Sequence, residues 1–465
     1  MVKLSKTFQV LGLLCPALTA ANNNRGPNVI QRDVAIIGGG SSGTYAAIRL
    51  RDQGKSVVVV EKESVLGGHT NTYVDRRTKK PINYGVVVFH NQNTTKNYFD
   101  RLKISYTIGT PFDSGSAAPV YLDSQTGKPV SYTPSDPSLG LQAYAAHLSS
   151  YSVLESGFFL QNPVPEDLLL PFGQFVAKYR EITNAAPTIF NFGQGLGDFL
   201  NQPTLYVFKN FGLDVLNDAL NGFVVISSGN NHEIYDKAAK VLGSDVLLNS
   251  EVINTPQRTS HGVTLLVSTP RGHRTIQAKK LLIAIPQKLT NLIPFSPDAK
   301  ESTLFAEFTN TGYYTSLVRN TCLPANFSST SISTDEQRYH VPNMPGVYGV
   351  SATGVEGIFD IKYGSPHTLP DSYVKSQILE YVKKLQENGL ATGRHCREPE
   401  FVEYNSHTPF ELTVSPGQIA NGFYRDLYAL QGYRGTWYTG AAFHTQDSSM
   451  LWEFTENVVL PGLLK

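Results

Sequence analysis

Asp33-Val34-Ala35-Ile36-Ile37-Gly38-Gly39-Gly40-Ser41-Ser42-Gly43 is the stretch on which the fold turns. Its first five residues form a short apolar run of the kind buried in a parallel sheet. The run ends in G-x-G-x-x-G, and Ala46, Ala47 and Leu50 follow at helical spacing. Gly54 is placed to end that helix, after which a second run, Ser56 to Val60, leads into Glu61. The unit predicted is strand, glycine turn, helix, strand. Gly38 makes the turn, Gly40 lets a pyrophosphate approach the backbone, and Gly43 lets helix pack on strand, with Ser42 in the helix N-terminus that faces the anion. A carboxylate at the end of the second strand, here Glu61 with Lys62 beside it, accepts from ribose hydroxyls, as in the adenosine half of FAD or NAD. The same residues also satisfy G-x-S-x-G, the nucleophile elbow of serine hydrolases. That elbow needs earlier strands to supply an oxyanion hole, whereas only an apolar leader and a polar linker precede this one.

Working outward, Val65-Leu66-Gly67-Gly68-His69-Thr70-Asn71-Thr72 places a second glycine pair just past the acidic residue. Paired glycines open N–H groups to phosphate without side-chain obstruction. With this motif the chain resembles the flavin amine oxidase superfamily, in which the double glycine wraps the FAD pyrophosphate. His69 stands where that family usually carries Arg, and Asn83 in Ile82-Asn83-Tyr84-Gly85 stands where Asp is common beneath the flavin ring. Val246 to Ile253 resembles the strand whose valine, here Val252, meets the adenine, and Lys280 to Pro286 the strand that closes the FAD domain. Thr436-Trp437-Tyr438-Thr439-Gly440 resembles the returning C-terminal strand, and Ser448 to Trp452 the helix that follows it. The resemblance implies that the N–H groups of Met450 and Leu451 face the flavin pyrimidine edge, where a positive helix end stabilises the reduced anion. Within the superfamily, Gly-Gly-His-Thr-Asn-Thr, Leu430-Gln431-Gly432 and Trp437-Tyr438-Thr439-Gly440 are most similar to the fungal beta-cyclopiazonate dehydrogenase family, associated with oxidation in secondary metabolism. Amine oxidases carry a Lys shortly after a glycine like Gly312, one that orders a water at flavin N5. This chain reads Gly312-Tyr313-Tyr314-Thr315-Ser316 there.

The implied architecture is α/β: a discontinuous Rossmann-type FAD-binding domain over 33–105, 230–310 and 420–465, with an inserted α+β substrate-binding domain over 106–229 and 311–419. Leu168 to Arg180 carries a helical pattern within the insert. At 465 residues the chain exceeds the size at which one core stops growing, which agrees with two lobes. The 39 Lys and Arg against 38 Asp and Glu leave a net charge of +1, so no basic footprint marks a nucleic-acid partner. The partner expected is a small molecule. Low charge also weighs against polyamines, which ask for an acidic entrance. The first twenty residues read as a secretory signal, with Lys3 and Lys6 before an apolar Val10–Leu18, too short to span a bilayer. A secreted or secretory-pathway glycoprotein follows, with sequons at Asn93 and Asn326. Cys322 and Cys396 either pair or stay buried as small apolar residues.

None of the eleven histidines shows metal-binding spacing, so no metal is expected. His69 is expected to contact or tether FAD. His90 is read as structural, and His407 as facing either substrate or solvent. Tyr314 and Tyr438 either line the ring cavity or belong to the core. A flavin oxidation needs no protein nucleophile, and no catalytic acid or base is assigned. The expected activity is hydride transfer to flavin N5 from a small nitrogen-containing or indole-type metabolite, with oxygen or another acceptor completing the cycle and oxidative cyclisation as a further outcome. The alternatives are a secreted flavin amine or amino-acid oxidase and a non-catalytic binding protein on the same scaffold, as in GDP-dissociation inhibitors.

Overall fold

The computed structural model describes residues 29–109, 118–393 and 396–465. The leader over 1–20 lies outside the described residues.

The opening unit folds as read: β1 (Val29–Ile37), α1 (Ser41–Asp52) and β2 (Val57–Val60). β1 and β2 run parallel with Val34 opposite Val57 and Ile37 opposite Val60. All four valines of β2 are buried, as expected of a strand covered on both faces. Gly54, at φ +76°, donates its N–H to Arg51 O, and Lys55 donates to Leu50 O, which satisfies the last carbonyls of α1. A seven-stranded sheet grows from this pair, in the order Val246–Leu247, β2, β1, Gly272–Ile283, Gly262–Thr269, Glu251–Thr259. The twelve-residue strand Gly272–Ile283 pairs parallel with β1 on one edge and serves two partners on the other. Its first half pairs antiparallel with Gly262–Thr269, and Leu281–Ile283 pairs parallel with Thr436–Tyr438. The C-terminal strand therefore does return to the first sheet.

Two sequence readings are corrected here. Val246 to Ile253 is two strands, because Asn249 turns through φ +49° and the N–H groups of Asn249 and Ser250 leave the ladder for Glu63 O and Glu61 O. Leu168 to Arg180 is likewise two short helices, Glu166–Leu169 and Phe172–Lys178. They are broken where Leu170 precedes Pro171 and is held extended.

A six-stranded sheet forms the second layer, in the order Glu400–Ser406, Gly312–Arg319, Ile358–Ser365, Gly346–Ala352, Ser328–Ile332, Val120–Asp123. Helix Asp371–Leu385 packs Val374, Ile378 and Val382 against Tyr314, Val318 and Ile361 on one of its faces. Its other face turns toward the hairpin of β3 (Thr72–Val74) and β4 (Pro81–Asn83), where Leu317 shares a small core with Ile82 and Tyr84. Helices between 138 and 221 share one continuous core with the seven-stranded sheet. Cys322 and Cys396 are disulfide-bonded, with Cα atoms 5.8 Å apart. No helix among the described residues is long and apolar enough to cross a membrane.

Candidate active site

The two glycine motifs come together at the N-terminus of α1. Gly38, at φ +98°, donates its N–H to Val60 O and so turns the chain over β2. A Cβ on Gly43 would stand 2.0 Å from Gly38 O, so only glycine lets the helix pack there. Gly67, at φ +128°, donates to Gly39 O, and a Cβ on Gly68 would lie 3.0 Å from Gly40 Cα. Backbone therefore faces backbone across a cleft with no side chain in it. Gly40 is the N-cap of α1 and supplies no side-chain cap, no acidic residue occupies the first turn, and Ser42 is buried behind it. The Ser41 hydroxyl is buried without a hydrogen-bond partner. With no base beside it, Ser41 is not an activated nucleophile, and the hydrolase alternative falls. Open N–H donors, an unpartnered hydroxyl and a helix N-terminus fit a pyrophosphate.

Glu61 is 6% exposed; its Oε2 accepts from Gly39 N at 2.6 Å and its Oε1 from Glu63 N at 2.8 Å. These bonds fix the carboxylate and leave each oxygen a lone pair for a ribose hydroxyl. Lys62 is exposed and pairs with Glu63 at 3.6 Å. Val252 is buried at the start of Glu251–Thr259, two residues after Ser250 ties that segment to Glu61 O. Gly85 packs so tightly that a Cβ would meet His69 O at 2.1 Å. Asn83, unlike the Asp of the family pattern, is used up structurally: its Oδ1 accepts from Thr72 and Asn231 N, and its Nδ2 donates to Gly229 O.

At the other end of the cleft, Gly440, at φ +113°, follows the returning strand, and Ser448–Phe454 forms the helix. The expectation for Met450 and Leu451 is corrected. Met450 N donates to the Asp447 carboxylate at 2.9 Å and Leu451 N to Asp447 O, so both N–H groups are engaged within the protein. The preceding loop is held by buried charge. His90 Nδ1 lies 2.7 Å from Asp218 and its Nε2 lies 3.5 Å from Asp447. Burial opposes charge on His90, but the two carboxylates outweigh it and pull its pKa up to about 10. His90 is thus a structural imidazolium. Lys209 Nζ sits 3.2 Å from His444 Nδ1, while His444 Nε2 donates to Glu155 O. Burial holds Lys209 down to about 7 and pushes Glu411 up to about 8. Glu411 Oε2 and Glu155 Oε2 are buried without partners. Sequence reading singled out none of Lys209, Glu411 and Glu155, which are separate in the chain and meet only in the fold.

A group of rings gathers on the face of the six-stranded sheet opposite helix Asp371–Leu385. Tyr314 is not among them: it is fully buried on the opposite face, and its hydroxyl donates to Leu369 O. Tyr438 is also core, donating to Glu301 at 2.7 Å. Tyr313, one residue earlier, points the other way. Its ring lies 4.9 Å from Phe410 and 5.9 Å from His407, and its hydroxyl donates to Gln194. His407 is not a solvent-exposed loop residue. It is 3% exposed and stacks on half-buried His69 with ring centroids 4.3 Å apart and planes 7° off parallel. Burial first, then the Lys62 charge, lowers His69 to about 4, and burial with the His69 and Lys362 charges lowers His407 well below its ordinary value. Asn71 orders the pair. Its Oδ1 accepts from Asn405, so its Nδ2 is the donor to His69 O and to His407 Nε2. Asn71, Tyr313, Asn405 and Phe410 carried no signal in sequence beyond residue type. No cluster of His, Cys, Asp and Glu among the described residues could hold a metal.

Comparison with known proteins agrees with this geometry. Residues 36–102 match the family model of the NAD(P)-binding Rossmann-like domain. The FAD-dependent oxidoreductase oblC of Cochliobolus heterostrophus is 41% identical over 97% of each chain. Beta-cyclopiazonate dehydrogenase of Aspergillus flavus is 36% identical over 95% of each. Among solved structures, the fatty acid isomerase of P. acnes superposes with a TM-score of 0.71 at 18% identity, covering 92% of this chain and 98% of that one. A putrescine oxidase double mutant superposes with a TM-score of 0.65 at 18% identity, over 94% of this chain and all of that one. These two share the fold of this chain.

Proposed function

The chain belongs to the family of FAD-dependent oxidoreductases that includes beta-cyclopiazonate dehydrogenase, and from that premise we propose that it oxidises a small, nitrogen-containing or indole-type metabolite of secondary metabolism. The observation that carries the cofactor's placement is the meeting of Gly40 and Gly68 at the N-terminus of α1, beside the fixed Glu61 carboxylate. Gly40, Ser42, Gly43 and Gly68 would hold the pyrophosphate, with Gly38 and Gly67 turning the chain around it, Glu61 would hold the ribose, and Val252 would stand by the adenine. Gly85 and His69 would underlie the ring system, with Gly440 and the Asp447-capped helix at its far edge. Bound there, FAD supplies a two-electron acceptor for a hydride from a substrate carbon adjacent to nitrogen.

The protein's own part is positioning and exclusion of water. Tyr313, Phe410, His407 and His69 offer a wall of rings to a planar substrate, and the Asn71–Asn405 contact ties that wall to the glycine cleft. Residues 33–105, 230–310 and 420–465 form the cofactor lobe in this reading, and 106–229 with 311–419 the substrate lobe. The Cys322–Cys396 disulfide supports passage through an oxidising compartment, as the leader suggests. Asn93 and Asn326 are both exposed, which supports glycosylation there. Oxygen or another acceptor would complete the cycle, and cyclisation would follow if the oxidised product traps an internal nucleophile.

The absorption spectrum of the purified protein tests the reading. Flavin bands are expected, and they are expected to bleach without oxygen on adding an oxidisable amine or indole metabolite. Folded protein without flavin bands would refute it. Acid precipitation separates a tethered flavin from a released one.

A further inference from the structure

Behind the cleft, the returning loop and the ring wall meet at one buried amine. Lys209, near the end of helix Thr204–Asn210, is 4% exposed. Its Nζ donates to Leu154 O and lies 3.2 Å from His444 Nδ1. His444 is buried in the loop between Gly440 and Asp447, and because its Nε2 donates to Glu155 O, its Nδ1 is the nitrogen that accepts. Glu411, also buried beside Lys209, is next in the chain to Phe410 of the wall, and both are held to Thr311 through Phe410 N and Glu411 O.

A neutral amine has two N–H groups, and Leu154 O and His444 Nδ1 satisfy both. A charged one has three. The Phe158 ring, 5.2 Å from Nζ, offers the third no oxygen, and among the described residues Lys209 forms no ion pair. The oxygens able to take it stand idle: Glu411 Oε2 and Glu155 Oε2 are both buried without a partner. We propose that Lys209 is a positioning residue with two settings. Neutral, it holds the 440–447 loop through His444; protonated, it draws an idle carboxylate oxygen of Glu155 or Glu411 to its third N–H and re-sets the loop against the wall. The proposal rests on the oxidoreductase reading in one respect, that this loop borders the flavin.

The surrounding groups set where the change falls. Burial holds Lys209 down to about 7, and three carboxyl groups oppose that shift: Glu155 from the turn Ser152–Ser156, Glu411 from the segment after His407, and Asp214 from helix Leu213–Asn221. Burial raises all three carboxyls in turn. Burial, then the Lys209 charge, drives His444 well below its ordinary value. Behind His444, His90 stays charged between Asp218 and Asp447. The Tyr206 and Tyr424 hydroxyls near Glu411 are pushed up by burial and stay neutral, as do the His69 and His407 imidazoles of the wall. On acidification through neutral pH, the group that gains positive charge here is Lys209.

The chain's two tryptophans, Trp437 on the returning strand and Trp452 on the Asp447-capped helix, flank the loop, so their emission reports its setting. Visible dichroism reports the flavin. In the FAD-loaded protein both signals, followed from about pH 5.5 to 8.5, are expected to change with a midpoint near 7. Lys209→Met is expected to keep the alkaline signal throughout and Lys209→Arg the acid one. Glu155→Gln combined with Glu411→Gln removes the counter-charges and is expected to move the midpoint about one unit lower, whereas a role confined to packing would lower stability and leave the midpoint in place. A wild-type transition missing from either signal, the same transition in Lys209→Met, or an unchanged or higher midpoint in the double variant would each overturn the proposal. Should Lys209→Met fail to fold, the double variant decides. Protein without flavin bands refutes the oxidoreductase reading alone, since tryptophan emission still reads the loop.

Discussion

Replacing Gly40 by alanine separates the needs of the cofactor from the needs of the fold. Gly40 has φ −73° and ψ −163°, an extended conformation open to any residue, and the nearest heavy atom to a new Cβ is Gly68 Cα at 3.7 Å, an ordinary contact. The protein alone gives no reason for glycine here. Gly40→Ala should leave the apoprotein's melting temperature close to that of wild type, since restricting the unfolded chain contributes about 0.4–1 kcal/mol while alanine in place of glycine at the N-cap of α1 costs about as much. If the pyrophosphate lies against this backbone, the added methyl intrudes on it. An overpacked methyl costs about 1–3 kcal/mol, which predicts FAD affinity weaker by roughly 5- to 150-fold. Gly43→Ala is the contrast: its Cβ would meet Gly38 O at 2.0 Å, so it should lower the melting temperature of the apoprotein itself. Fluorescence titration of deflavinated protein with FAD, beside a thermal melt of each variant, reads both quantities. Gly40→Ala protein that binds FAD within twofold of wild type would refute the placement of the cofactor, and an unfolded variant would refute the claim that the fold tolerates alanine.

The His90 pair gives stability a pH dependence. Its pKa is raised from 6.5 to about 10, so its contribution is fully present below about pH 6.5 and lost as pH rises toward 10; wild type should lose more stability than His90→Gln between pH 6 and 9.5 in urea titrations. Glu301→Gln leaves the Arg258 guanidinium, buried at 2.5 Å from that carboxylate, without its counter-charge, and should destabilise by about 3–5 kcal/mol in the same assay. Reduction of the disulfide, or Cys322→Ser with Cys396→Ser, removes a cross-link spanning 74 residues and should cost about 4 kcal/mol, read as a lower denaturation midpoint.

What the sequence made legible was local. Strand, glycine turn, helix and second strand from Asp33 to Val60 each have a signal within a few residues, and the structure reproduces them. The errors arose where a tertiary partner decides. Nothing local to Val246–Ile253 announces that Asn249 and Ser250 will donate to Glu63 and Glu61, almost two hundred residues away, and so split one apolar run into two strands. Tyr313 and Tyr314 are equivalent in composition, and which of them faces the wall depends on strand register, which one residue of slip inverts. The Met450 and Leu451 donors were read from helix position alone, whereas Asp447, three residues before Met450, satisfies them as a cap. His407 looked like a loop histidine because its partner His69 lies in the other lobe.

Low overall charge does not mean weak electrostatics at this site, because several of the buried charged groups act on one segment. The returning strand, loop and helix over 436–450 are gripped at three successive points: Tyr438 by the Arg258–Glu301 pair, His444 by Lys209, and Asp447 by His90. Each grip comes from a different part of the chain, and the gripping side chains Arg258, Glu301, Lys209 and His90 are buried, where a hydrogen bond is stronger and an unpaired partner more costly than at the surface, while the Asp447 carboxylate is half-buried. A segment held only by apolar contacts could slide by a fraction of an ångström at little cost. One pinned by three directional pairs cannot shift without leaving a buried charge exposed to its own desolvation. Fixed in this way, Gly440 and the Asp447-capped helix present the same edge to the cleft before any ligand arrives, so reorganisation need not be driven by binding. The unsatisfied atoms Glu155 Oε2 and Glu411 Oε2 beside Lys209 mark the place where that network is least complete. The Lys209 grip should therefore be the first of the three to yield when buried groups change protonation.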